Sequence, residues 1–166
     1  MTSEEFAIRR VRWQLFATLT FKREKLSQRH RYGLLFAWLR RLADSKEVHF
    51  KRLLFAVRAE AGESFGRFHY HVLISGLPVH EVNPSTCQFF ERLWKSVLGV
   101  GIADVREWET GRDAVAYILK GIEGGTTKGA NAYESGKFAQ GRHTEVTLSQ
   151  SMRWTLPAAD EKQRAK

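Results

Sequence analysis

The sequence predicts an α+β fold, a ferredoxin-like or RRM-like sandwich with a central antiparallel sheet of four to five strands packed on helices. Three observations carry that expectation. Segments of period two alternate with segments of period 3.6 in the order β-α-β-β-α-β-α. The two middle strands are joined by a short glycine-containing turn, Ala61-Gly62-Glu63-Ser64-Phe65-Gly66, which makes them a hairpin. The chain has 166 residues and a hydrophobic fraction of 43%, enough for one domain with one core.

Each element follows in order. Residues 1–12 carry charges throughout and no apolar signal core, and are expected as a basic N-terminal arm. Residues 13–21 alternate as a strand, with Leu15, Ala17, Leu19 and Phe21 on one face and Phe16, Thr18 and Thr20 on the other. Ser27 is placed to cap a helix running to about residue 43, whose stripe is Leu34, Leu35, Trp38, Leu39 and Leu42, with Arg29, Arg31, Arg40 and Arg41 on the remaining surface. Residues 51–60 read as a strand with Leu53, Phe55 and Val57 on one face and Leu54, Ala56, Arg58 and Glu60 on the other. The strand 67–75 follows the turn.

Asn83 and Pro84 then open a helix over 84–98, with Phe89, Phe90, Leu93, Trp94 and Val97 expected to be buried. Residues 102–108 form a fourth strand, and residues 112–122 a third helix with Val115, Ile118, Leu119 and Ile122 as its apolar side. Residues 123–143 read as a loop rich in Gly, Thr, Asn and Lys, residues 145–148 as a short strand, and the end from Pro157 as polar. The expected organisation is an arm (1–12), one domain (13–150) and a polar tail (151–166).

Charge narrows the partners. Lys and Arg number 27 against 18 Asp and Glu, a net +9, and a basic surface attracts and holds polyanions by counterion release. One cysteine, Cys87, excludes an internal disulfide framework and a cysteine-rich zinc site. No run of 18 uncharged apolar residues occurs, and no P-loop pattern is present.

Two groups of residues carry chemistry. In Arg67-Phe68-His69-Tyr70-His71-Val72 the strand period sets His69 and His71 on one face and Phe68, Tyr70 and Val72 on the other. Two imidazoles side by side make half of a divalent-metal site, although such a pair can equally decorate a surface. Glu60 shares their face by strand parity and is the expected third ligand, with Glu63 in the turn as its competitor. A mixed N/O set with open positions suits Mg²⁺ or Mn²⁺. In the third helix Tyr117 and Lys120, three apart, project together. A tyrosine hydroxyl beside a polarised phosphate can attack phosphorus. The plainer alternative is an amphipathic helix with Tyr117 at its boundary and Lys120 in water.

Taken together, Phe16-Ala17-Thr18-Leu19-Thr20-Phe21, His69-Tyr70-His71 and Tyr117-x-x-Lys120 resemble, in order, the three motifs of the HUH endonuclease superfamily, specifically the rolling-circle replication initiators or Rep proteins. The resemblance spans roughly residues 13–122. It implies sequence-specific nicking and joining of single-stranded DNA at an origin, often presented as a hairpin. Tyr117 would be the nucleophile, on the third helix, assisted by Lys120. A Mn²⁺ or Mg²⁺ ion would be held by His69, His71 and Glu60, and the intermediate would be a covalent 5′-phosphotyrosine.

The resemblance further implies a cytoplasmic monomer of a prokaryotic plasmid, phage or virus replicon, working with a host helicase and polymerase and with no membrane. Expected DNA contacts are Thr18, Thr20, Arg58, Arg67, Arg106, Trp108 and Lys128, with Arg9, Arg10, Arg12, Lys22, Arg23 and Lys25 flanking the first strand. Trp108 and Phe65 are candidate stacking platforms, and Phe16 is expected in the core. A related single-tyrosine transposase shares these parts but tends to carry glutamine where this chain has Gly121. A non-catalytic nucleic-acid-binding module and a metal-dependent hydrolase using water are the other readings.

Overall fold

The computed structural model describes residues 3–23, 26–61, 68–97, 99–119 and 147–148. The elements are α1 (Ser3–Arg10), β1 (Leu15–Thr20), α2 (Gln28–Ser45), β2 (Leu54–Ala61), β3 (Phe68–Ser75), α3 (Pro84–Arg92), β4 (Ala103–Glu107), α4 (Ala114–Leu119) and β5 (Thr147–Leu148). The strands form one sheet in the order β4-β1-β3-β2-β5, antiparallel throughout. This is the expected α+β sandwich.

One face of the sheet carries the main core. Leu15, Ala17 and Leu19 of β1, Phe55 and Val57 of β2, and Tyr70, Val72 and Ile74 of β3 are buried against Leu35, Trp38, Leu39 and Leu42 of α2 and Phe90 of α3. Each fully buried Leu or Ile contributes about 1.5–3 kcal/mol. The helix starts match the expected caps. The Ser27 hydroxyl accepts from the His30 amide at 3.2 Å, and the Asn83 side chain accepts from the Thr86 amide at 2.9 Å. After α3 the chain makes one π-helical turn, Leu93–Val97, that buries Leu93 and Trp94. The Trp94 indole donates to the Thr20 carbonyl at 3.0 Å. Gly101 passes so close to that carbonyl that an added Cβ would collide with it.

Several expectations need correction. The stretch 50–52 is a 3₁₀ turn, so β2 begins at Leu54 and not at 51. The cause is local: the His49 ring accepts from the Lys51 amide, and the Leu53 amide bonds back to Phe50. Arg31 is not a surface decoration. It is buried, with its guanidinium 3.7 Å from the Phe68 ring centroid and a hydrogen bond to the Leu26 carbonyl. Phe89 is exposed, because it stands one residue's rotation around the helix from Phe90 and only one of the two can face the core.

The segment expected as a basic arm carries α1, and its apolar residues are used. Ala7 and Ile8 are buried with Trp13, Ala56, Leu73, Val115 and Ile118 in a second, smaller core on the opposite face of the sheet. The Trp13 indole donates to the Ile8 carbonyl at 3.0 Å, which closes the helix end. The second face is therefore covered at one end by α1 and α4 and left open at the other. Leu119 and Ile122, expected to join this packing, the loop 123–143 and the polar tail lie outside the described side chains or residues. At the edge of the sheet, Glu91 of α3 accepts the outward-facing amide of Val105 in β4 at 2.9 Å.

Candidate active site

The register of the sheet builds the site row by row. One row reads Thr20, His69, Glu60 across β1, β3 and β2. The next reads Asp104, Thr18, His71, Arg58 across β4, β1, β3 and β2. The third reads Arg106, Phe16, Leu73, Ala56. Residues directly opposite in a ladder have Cβ atoms about 4.5–5.5 Å apart. The two imidazoles are neighbours on one face as the alternation requires, with ring centroids 4.9 Å apart and planes at 90°. Glu60 pairs with His69 in the ladder. Its side chain, together with all of Glu63, lies outside what is described.

A metal fits this donor set. Two adjacent nitrogen donors stand on one sheet face, and a carboxylate residue occupies the register position across from the first. Among the described residues no third His, Cys, Asp or Glu joins the imidazoles, which leaves the ligand role to Glu60 or Glu63. The Thr18 hydroxyl lies 3.3 Å from His71 Nδ1. That contact holds one ring nitrogen and leaves Nε2 as the His71 atom available to a cation.

A cleft of about 640 Å³ opens between this row and α4, lined by Phe16, Thr18, Arg58, His71, Arg106, Trp108, Arg112 and Tyr117 among others. Asp113 caps α4, accepting from the amides of Val115 at 3.0 Å and Ala116 at 3.2 Å. Val115 and Ile118 anchor the helix in the second core. Tyr117, one residue before Ile118, is thereby turned out of that core and is 39% exposed. Its ring meets Phe16 edge-on at 5.5 Å and Trp108 at 5.7 Å. Phe16 in turn stacks on the His71 ring at 5.7 Å with planes 10° apart. Contrary to expectation, Phe16 is thus not a core residue. It is half-buried and stands between the imidazole and the phenol.

The cleft's charges are paired. Asp104 grips Arg106 through both carboxylate oxygens, at 3.0 and 2.5 Å, and that hydrogen bond raises the guanidinium above its ordinary range. Arg112 bonds Glu109 at 2.5 Å through Nε and donates from Nη1 to the Tyr117 hydroxyl at 3.0 Å. Thr20 spends its hydroxyl on the backbone of Ile102, donating to the carbonyl at 2.9 Å and accepting from the amide at 3.2 Å. It has no second proton for a DNA oxygen.

Of the expected site residues, the cleft brings together Thr18, Arg58, His71, Arg106, Trp108 and Tyr117. Lys120, Arg67, Lys128, Lys25 and Phe65 lie outside the described residues. Sequence reasoning missed Arg112 and Glu109, although their i,i+3 spacing at the start of a helix is a recognisable ion-pair signal.

The family comparison agrees with this architecture. Residues 14–125, more than half of the chain, match the model of the replication-associated protein ORF2 family. The chain belongs to that family of replication proteins. No curated protein and no solved structure matches it. No helix among the described residues is long and apolar enough to cross a membrane.

Proposed function

We propose that this replication-associated protein nicks and rejoins single-stranded origin DNA through Tyr117. The observation that carries the reading is the single cleft that has His71 on one wall and the exposed Tyr117 phenol on another, with one phenylalanine ring between them. A buried phenol or imidazoles on opposite faces would have been incompatible with it.

His69, His71 and Glu60 are the residues that would hold a Mn²⁺ or Mg²⁺ ion. A divalent cation supplies Lewis-acid polarisation of a phosphate oxygen. The chain does the rest. Arg58 and Arg106 line the cleft where a phosphodiester would lie, and Trp108 offers an aromatic wall for an unpaired base. The Tyr117 oxygen attacks phosphorus and gives up its proton to water. The P–O3′ bond breaks, the 3′ oxygen takes a proton, and the strand's 5′ phosphate remains on Tyr117. Reversal by the 3′-hydroxyl rejoins the strand, because one phosphodiester is exchanged for another. Lys120 is assigned to the phosphate or to the leaving oxygen. The protein would act as a monomer in the cytoplasm on a prokaryotic replicon's single-stranded or hairpin origin, upstream of a host helicase and polymerase.

The test is a denaturing gel of the protein with Mn²⁺ and labelled single-stranded DNA carrying its replicon's origin. A protein–DNA band that survives denaturant is expected from the native chain and is lost in Tyr117→Phe, while DNA affinity changes less than about twofold, because only one exposed hydroxyl is removed. Cleavage that persists in Tyr117→Phe would assign the chemistry to water and overturn the reading.

A further inference from the structure

We infer that Arg112 is a positioning residue for the Tyr117 phenol, holding its oxygen in the cleft for cleavage and supporting the same oxygen as it departs during rejoining. The inference rests on the nicking and joining role proposed above.

Two contacts aim Arg112 at this one side chain. Nη1 donates to the hydroxyl oxygen at 3.0 Å, and the guanidinium carbon lies 5.7 Å from the ring centroid. A third contact fixes the donor: Glu109 binds Nε at 2.5 Å. The turn that joins them is tight. The Arg112 amide bonds the Glu109 carbonyl at 3.2 Å, and Gly111 between them has φ +97°, a conformation that L side chains rarely adopt. The backbone thus sets the guanidinium five residues before the phenol, just ahead of the first turn of α4. The edges of Phe16 and Trp108 confine the Tyr117 ring, and Arg112 supplies the polar contact at its oxygen.

The chemistry asks for a donor there in both directions. In cleavage the Tyr117 oxygen forms the bond to phosphorus as P–O3′ breaks. Arg112 orients the oxygen and stabilises the negative charge it carries as its proton leaves to water. In rejoining, the DNA 3′-hydroxyl loses its proton to water, attacks phosphorus and expels the Tyr117 oxygen, which recovers a proton from water. The leaving oxygen then carries charge beside the same guanidinium. A cationic donor acting at the shared oxygen should therefore affect both reactions alike. A donor acting on the DNA phosphate would instead affect binding.

The experiment separates the two. Arg112→Gln and Arg112→Lys are compared with the native chain in single-turnover cleavage and in rejoining of the isolated covalent adduct with a 3′-hydroxyl strand. DNA affinity is measured for Arg112→Gln in the Tyr117→Phe background, with circular dichroism as a fold control. We expect Arg112→Gln to slow both steps by roughly 10- to 100-fold. Arg112→Lys should recover part of the loss, and the affinity in the Tyr117→Phe background should be unchanged. Native rates in Arg112→Gln would overturn the inference, as would a loss of affinity in the Tyr117→Phe background. Either outcome leaves the nicking reading intact if Tyr117→Phe alone gives no adduct. Full cleavage by Tyr117→Phe would instead remove that reading itself.

Discussion

At the scale of single residues, the site depends on side chains that touch the reacting groups only through a neighbour. Thr18 faces His71 Nδ1 at 3.3 Å and fixes which ring nitrogen is left for a cation. Outer contacts of this kind are commonly worth about 10- to 100-fold in metal affinity. We therefore expect Thr18→Val, which keeps the shape and removes the hydroxyl, to weaken Mn²⁺ binding by roughly that factor in a calorimetric titration. Thr18→Ser should retain it. Binding unchanged in Thr18→Val would return Thr18 to the role of a strand former or a DNA contact. The histidines themselves are legible from the period of two, since a strand leaves no choice about which residues share a face. Phe16 is not, because the same period is silent about what covers the second face. Its ring is half-buried beside His71 and Tyr117, a position that depends on α4 and not on β1.

Among the elements, the joint between α2 and α3 is electrostatic. Lys46, at the end of α2, bonds Glu81 at 2.5 Å, and the Thr86 hydroxyl reaches the same carboxylate at 3.4 Å. The Lys46 hydrogen bond is the chief cause that holds the Glu81 carboxyl below its ordinary range. A lowered folded value means that the stabilisation is present above the ordinary carboxylate range and is lost as pH falls through the folded value. Glu81→Gln should thus lower the melting temperature near neutral pH by a few degrees at most and flatten the acid side of the stability curve. Thermal melts from about pH 3 to about pH 7 would check this, and an unaltered acid limb would count against it. Helix starts at Ser27 and Asn83 can be read in advance because a capping side chain precedes an apolar stripe. The helix α1 cannot. Glu4, Glu5, Arg9 and Arg10 dominate its pattern, and its reason for folding, the docking of Ala7 and Ile8 on Val115 and Ile118, lies far along the chain.

The whole molecule is a sheet with two unequal cores, and the smaller one carries the nucleophile's helix. Ile8 is fully buried in it. Ile8→Ala should cost about 2–4 kcal/mol by denaturant unfolding and should also reduce cleavage, since α4 loses part of its backing. A stability loss with native cleavage would show that α4 keeps its place without α1. The charge balance of the sequence points to a polyanion, yet in the cleft Asp104 and Glu109 already occupy Arg106 and Arg112. A formal net charge counts residues, whereas the field at a site depends on which of them are paired. A last consequence concerns the carboxylate of Glu91, which fills the outward amide of Val105 on the outermost strand. A second polypeptide seeking to extend the sheet there meets a position already taken, so the protein is guarded against fibrous self-association on that side. Glu91→Ala should make concentrated samples scatter light sooner on storage, and a variant as clear as the parent would mean that the neighbouring charges of Asp104 and Arg106 suffice as the barrier.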